Sequence, residues 1–265
     1  MTTNVLHIAD LSHSFGDQRI LKAIGMDIPA GAFYIIIGPN GSGKTTLMKI
    51  MAGILAVQDG RITVMNRPIG HYAKKELART IAYVPQLVST DVPFSVRELV
   101  LMGRAPHQGW LEFDSPDDLQ IAEEAMAITG VAHLATRRLE QLSGGEQQRV
   151  MIARAVCQQA PVILLDEPTA SLDLSHQIRI MDLMAHLRDE KGVTVVMISH
   201  DINLAAMYGR QLLLLNEGRV SRTGPPREVI DPKVLEGVYG CPLVVDESPV
   251  GPYPRVTPVP GKALR

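Results

Sequence analysis

The chain has 265 residues, of which 46% are hydrophobic and 20% charged, and its 26 Lys and Arg against 28 Asp and Glu leave a formal charge of -2. That length suits one fold carrying a subdomain, and the near-neutral balance supplies no basic field for nucleic acid, so any phosphate ligand has to be held by a local site. The longest apolar runs, Tyr34–Ile37, Val162–Leu165, Val193–Ile198 and Leu212–Leu215, fall far short of the roughly 20 residues that span a bilayer. The opening Met1-Thr2-Thr3-Asn4 has neither the basic nor the apolar region of a secretory signal, and Cys157 with Cys241 makes no disulfide framework or zinc spacing. The expected address is therefore a reducing cytosol, with both thiols inert.

In chain order, Val5–Leu11, Arg19–Leu21 and Met26–Ile28 are short alternating segments separated by Gly and Asp, which predict a small antiparallel sheet over residues 1–32. Each of the apolar runs is rich in β-branched or aliphatic residues and closed by polar ones, as strands buried on both faces of a parallel sheet are. The periodicity predicts helices over Gly43–Ile54, Val96–Met102, Asp117–Thr129, Glu146–Gln158 and Ser175–Glu190. Strand and helix alternate, so an α/β core is expected over 33–87 and 160–240, with a helical subdomain inserted at 88–159. From Cys241 onward, six prolines surround two β-like pieces, Leu243–Asp246 and Arg255–Thr257. That tail, 241–265, reads as an irregular hairpin or a loose extension.

Gly38-Pro39-Asn40-Gly41-Ser42-Gly43-Lys44-Thr45 fits G-x-x-x-x-G-K-[ST] after a predicted buried strand and at the start of a helix, with Thr46 following. Glycines there let backbone N–H groups turn around phosphate oxygens, and the helix aims its positive end at them. Lys44 is then expected on the β- and γ-phosphates and the Thr45 hydroxyl on Mg²⁺. Val162–Leu165 runs into Asp166-Glu167. In phosphoryl transfer one acid holds the magnesium and another group orients and deprotonates the attacking water, which assigns Asp166 to Mg²⁺ and Glu167 to the water as general base. Without the phosphate loop, two acids at a strand end would read as a cap or a solvated pair.

Leu142-Ser143-Gly144-Gly145-Glu146-Gln147-Gln148-Arg149 is a second glycine turn opening a helix, with Ser143 also a natural N-cap. Here the chain resembles the ATP-binding-cassette family, whose signature this segment matches. The resemblance implies that family's fold, a phosphate-loop core with a parallel sheet, an antiparallel β-subdomain and an inserted helical subdomain. It also implies a head-to-tail homodimer in which Ser143, Gly144, Gly145 and Glu146 of one copy complete the ATP site of the other. Further residues fall on the family's pattern. Phe15 is similar to its adenine-stacking aromatic, and Gln86, in Tyr83-Val84-Pro85-Gln86, to the glutamine that touches Mg²⁺ or the attacking water. Ser171-Leu172-Asp173 resembles its dimer-crossing loop, with Asp173 also a candidate helix cap, and His200 resembles its γ-phosphate histidine. No core motif is degenerate and Glu167 is retained, so an active ATPase is expected.

Repair and chromosome ATPases need a coiled coil or zinc insertion, and ribosome-binding factors usually carry two cassettes; neither feature is present, which leaves a transporter motor ahead of a soluble non-transport ATPase. The implied partners are integral-membrane permease subunits and, through them, an extracytoplasmic substrate-binding protein, with the chain peripheral on the cytoplasmic face of the inner membrane. Leu99-Val100-Leu101-Met102-Gly103-Arg104-Ala105-Pro106-His107 and the tail Val238-Tyr239-Gly240 with Val244-Val245 resemble the subfamily importing iron–siderophore complexes, haem and cobalamin. Iron-complex uptake is expected first, cobalamin or zinc and manganese after it. Read physically, Arg104 is a solvated helix-end charge and His107 a loop residue.

Overall fold

The computed structural model describes residues 4–86, 93–109, 113–170 and 172–260. The chain divides into two units, one made of Met1–Gly70 with Thr194–Arg265 and the other of His71–Val193.

The first unit opens with two long strands, β1 (Asn4–Phe15) and β2 (Gln18–Pro29), paired antiparallel. Each is continuous over twelve residues where the sequence pattern predicts short pieces. The reason is local: Asp10 and Ala23 sit at φ 52° and 53°, and the register shifts between Ile8 and Leu11 and between Leu11 and His13, so the alternation breaks although the strand does not. Next come β3 (Phe33–Ile37), α1 (Lys44–Met51), β4 (Asp59–Val64) and β5 (Arg67–Pro68). β4 and β5 complete an antiparallel sheet in the order β2-β1-β4-β5, and pairings such as Leu6 with Val64 are too distant in sequence to be read locally.

The second unit runs through α2 (Lys74–Thr80), β6 (Ile81–Val84), α3 (Val96–Leu101), α4 (Pro116–Ile128), α5 (Gly144–Cys157), β7 (Val162–Asp166) and α6 (Leu174–Lys191). β6 and β7 pair in parallel, Ile81 opposite Val162 through Val84 opposite Leu165. The helices share a core that includes Val96, Val100, Met126, Leu134, Leu139, Val150 and Cys157. Arg104, expected in solvent, is only 6% exposed and paired with Asp118 at 2.8 Å, because the chain folds back there over the end of α5.

The first unit resumes with β8 (Thr194–Ile198), α7 (Ile202–Tyr208), β9 (Gln211–Asn216), β10 (Arg219–Gly224), α8 (Pro226–Val229), α9 (Pro232–Tyr239), β11 (Leu243–Glu247) and β12 (Pro254–Pro258). β3 pairs in parallel with both β8 and β9 and β10 lies antiparallel to β9, giving the order β10-β9-β3-β8. Every residue of β3, β7 and β8 is buried, as expected for strands covered on both faces. The tail forms a regular antiparallel hairpin, β11 with β12, whose prolines at 254 and 258 stand at the strand ends. It is docked by Asn203, whose side chain accepts from the Val256 N–H at 2.8 Å and donates to the Val256 carbonyl at 3.1 Å.

Candidate active site

In the first unit β3 ends at Ile37, and the chain turns through Gly38, Pro39, Asn40, Gly41, Ser42 and Gly43 into α1. Gly38, Gly41 and Gly43 have φ of 148°, 76° and 102°, backbone that side chains rarely adopt. At Gly38 space excludes a side chain as well, since a Cβ would stand 2.1 Å from the Leu215 carbonyl oxygen, and at Gly43 it would press on a Leu21 methyl at 2.7 Å. Lys44 is buried, its Nζ donating to the carbonyls of Gly38 and Pro39 at 2.8 Å each, so the ammonium is held inside the turn. Thr45 and Thr46 stand half-buried in the first turn of α1, while Asn40 and Gly41 are exposed. The N-cap of α1 is Gly43, and no side chain caps this helix end. Beside it Ser42 Oγ is buried without a hydrogen-bond partner, a state that costs ~1–3 kcal/mol in a closed protein. A helix end without a side-chain cap, an orphaned hydroxyl and an inward-held ammonium are the donor set that a polyphosphate requires.

Two further parts of this unit belong to the expected site. Phe15 closes β1 and is 53% exposed, with its ring packed edge-on to buried His13 at a centroid distance of 4.9 Å. The ring is therefore steadied by one neighbour while solvent reaches about half of the residue. His200 is exposed just after β8, and Asp201 caps α7 by accepting from the N–H groups of Asn203 and Leu204. Tyr239 of α9, marked in the sequence only by the tail's subfamily likeness, also reaches this turn: burial pushes its hydroxyl up to about 12, while a backbone hydrogen bond at Gly38 pulls the other way.

In the second unit the parallel pair β6–β7 brings two predicted residues together. Gln86, two residues past β6, donates its amide to Glu167 Oε2 at 2.5 Å, and Tyr83 donates its hydroxyl to Asp166 Oδ2 at 3.2 Å. Asp166 is 1% and Glu167 9% exposed. Glu167 sits at φ 53°, an uncommon conformation for a residue with a side chain and one that concentrates at functional sites. Burial, then the Asp166 charge, raises the Tyr83 hydroxyl above its usual range, so it stays protonated and donates. Tyr83 was missed by motif reading; period-two alternation along β6, which puts it on the opposite face from Ala82 and Val84, is the signal that could have found it.

The second glycine turn is closed by its own side chains. Ser143 caps α5, accepting from the Glu146 N–H, while Ser143 N–H and Oγ both donate to Glu146 Oε2 at 2.8 Å. These bonds, the backbone one first, lower the Glu146 carboxyl. Gly144 is exposed; Gly145 is buried, and a Cβ there would meet the His176 ring at 3.3 Å. Asp173 caps α6, and the His176 N–H it accepts is the largest cause holding its carboxyl at about 2. The cap reading of Asp173 is thus observed, whereas Ser171 lies outside the described residues.

A phosphate loop after a buried parallel strand, together with buried acids ending another, defines a phosphate-loop nucleoside triphosphatase. The ABC transporter family profile matches residues 21–170. Among curated proteins, the chain is 36% identical over 261 residues to the ferric enterobactin transport ATP-binding protein FepC of Escherichia coli (strain K12), covering 98% of this chain and 96% of that one. It is 39% identical over 258 residues to the hemin import ATP-binding protein HmuV of Thermobifida fusca (strain YX), covering 97% and 89%. A solved metal-chelate type ABC transporter in an inward-facing conformation superposes with a TM-score of 0.87 at 29% identity, over 99% of this chain and all of that one. The chain belongs to the ABC transporter family, as an ATP-binding subunit that hydrolyses ATP to power transport. Among the described residues no helix is long and apolar enough to cross a membrane.

Proposed function

We propose that this subunit energises import of an iron complex, a siderophore or haem, across the cytoplasmic membrane. In this reading it acts as a homodimer on the cytoplasmic face, bound to integral-membrane permease subunits that receive cargo from an extracytoplasmic binding protein. The observation that carries the cargo class is likeness over nearly the whole chain to relatives named for ferric enterobactin transport and hemin import. Cobalamin is the second reading, because the Gly103–His107 segment resembles a subfamily that takes it too.

Each site residue has a role under this reading. Phe15 stacks on adenine. The loop Gly38, Pro39, Asn40, Gly41, Ser42 and Gly43 wraps the phosphates with backbone N–H groups, and Ser42 Oγ gains the partner it lacks. Lys44 and the first turn at Thr45 and Thr46 carry the β- and γ-phosphates. Thr45, Asp166 and Gln86 would hold Mg²⁺, which neutralises phosphate charge when bound. Glu167 takes the proton from the attacking water, Gln86 aligns its carboxylate, and His200 contacts the γ-phosphate. Ser143, Gly144, Gly145 and Glu146 of a second copy close the site, so hydrolysis weakens the bridge between copies and lets the dimer open. The antiparallel sheet, the core and the helical block at 88–159 serve as frame, core and lever.

Uptake measurements test the cargo. Cells carrying Lys44→Ala should lose accumulation of radiolabelled ferric siderophore or hemin while cobalamin uptake stays at the wild-type level. Loss of cobalamin uptake alone would move the cargo to the second reading, and wild-type uptake of all three would overturn the import function.

A further inference from the structure

The stretch Gly103-Arg104-Ala105-Pro106-His107 faces inward. Arg104 Nε donates to Asp118 Oδ1 at 2.8 Å, and its Nη1 donates to the Cys157 carbonyl and to Gln159 Oε1 at 2.9 Å each. His107 Nε2 lies 2.9 Å from the Gln158 carbonyl, which can only accept. Gly103 has no alternative, since a Cβ would stand 2.4 Å from the Arg154 carbonyl oxygen. Three successive residues at the end of α5, Cys157, Gln158 and Gln159, are thus gripped from one side, with Gln159 held at φ 55°. The Gln158 side-chain amide reaches the other way and donates to the carbonyls of Ala78 and Ile81, where α2 ends and β6 begins. From α2, Arg79 donates to the Pro106 carbonyl at 2.7 Å and Lys75 to that of Gln108.

The ring of contacts is closed: the 103–108 stretch, the end of α5 and α2 each touch the other two, and Gln158 extends the grip to Ile81 at the start of β6. α5 starts at Gly144, capped by Ser143, and β6 leads to Gln86. A buried ion pair is weak support for stability, because desolvation offsets most of its attraction. A planar fork that satisfies a carboxylate, a carbonyl and an amide at once is instead suited to fixing one geometry.

We propose that Arg104 is a positioning residue. It locks residues 103–108 to α5 and, through Gln158, to β6, so the signature helix and the strand leading to Gln86 shift as one body with the α3–α4 segment. Resting on the transporter reading above, this lock carries motion between ATP hydrolysis and the membrane subunits. Two packed elements with a shared hub are a physical basis for such coupling, and only a coupling measurement tests it.

Arg104→Lys keeps a charge for Asp118 but cannot span the fork. In the full chain, amides at 79–84 and 102–108 should exchange about tenfold faster together. The kcat and KM for ATP of the chain alone should stay within about twofold of wild type. In nanodiscs with the membrane subunits, the change in kcat that assembly produces should shrink about fivefold. Gln158→Leu cuts only the side-chain link to the end of α2 and the start of β6 and should loosen 79–84 while 102–108 stays protected. Faster exchange confined to 102–108 in Arg104→Lys would overturn the lock, and so would equal loss of activity alone and assembled, which marks a purely structural role. A wild-type chain indifferent to membrane subunits would sink the transporter reading, with the exchange arm still deciding the lock.

Discussion

Two helices of this protein begin after a serine–glycine turn, and they end up in opposite chemical states. At α5, Ser143 is the N-cap, and with Glu146 it satisfies the helix end internally. At α1 the N-cap is the left-handed Gly43 and the serine sits one residue earlier, so Ser42 Oγ is buried without a partner and Lys44 is drawn back under the turn. A shift of one residue separates a serine that caps its helix from one whose hydroxyl is buried without a partner. Under the proposed reading the uncapped end takes the phosphates directly, whereas the capped one must loosen its own bonds or offer only its exposed backbone.

The largest effects should come from the chemistry served by the uncapped end. Glu167→Gln should lower kcat by about 10²–10⁴-fold, the range of a positioned general base, and leave ATP bound in a dimer detectable by size-exclusion chromatography; phosphate release at the wild-type rate would refute the assignment. Lys44→Ala should cut turnover by about 10²–10³-fold through lost charge stabilisation, and equilibrium dialysis should show weaker ATP binding as well.

A paired serine experiment addresses the comparison itself. Ser143→Ala should cost about 1 kcal/mol in urea unfolding, because it removes a cap. Ser42→Ala should raise stability by about 1–3 kcal/mol, since it removes a buried hydroxyl that has no partner and breaks no internal hydrogen bond, yet raise the KM for ATP. Equal stability losses at both positions would erase the contrast. The smallest effect is confined to acid. Asp118 is held at about 2, chiefly by the Arg104 hydrogen bond, below its usual range. A depressed carboxyl contributes stability above its unfolded value near ~4 and loses that contribution as pH falls toward the folded value. Denaturation midpoints of Asp118→Asn should therefore fall less between pH ~5 and ~2 than those of wild type.

The parts of the site that are legible in sequence are those a single local segment builds. The phosphate loop is one continuous turn, so spacing alone places Gly38, Gly43 and Lys44, and Ser143 with Glu146 is read from a capping box three residues long. β1 and β2 read only as fragments because their bulges break the alternation, and β4 is out of reach because its partners in β1 lie dozens of residues away, Leu6 with Val64 among them. Arg104 reads physically as a solvated charge for a related reason: its partners Asp118, Cys157 and Gln159 lie 14 or more residues further on, and a charge at a helix end gives no local hint of burial.

The sequence by itself determined the catalytic vocabulary: a loop that only glycine can close, acids at the end of a buried strand, and a histidine and glutamine in the family's order. Tertiary structure alone decided which of those groups touch, that Gln86 meets Glu167, that Tyr83 meets Asp166, that the tail hairpin is clasped by Asn203, and that Arg104 lies inside rather than in solvent. The division follows from range. Backbone conformation and helix caps are set by neighbours within a few residues, whereas burial and side-chain pairing depend on which distant segments the packed core brings to the same place.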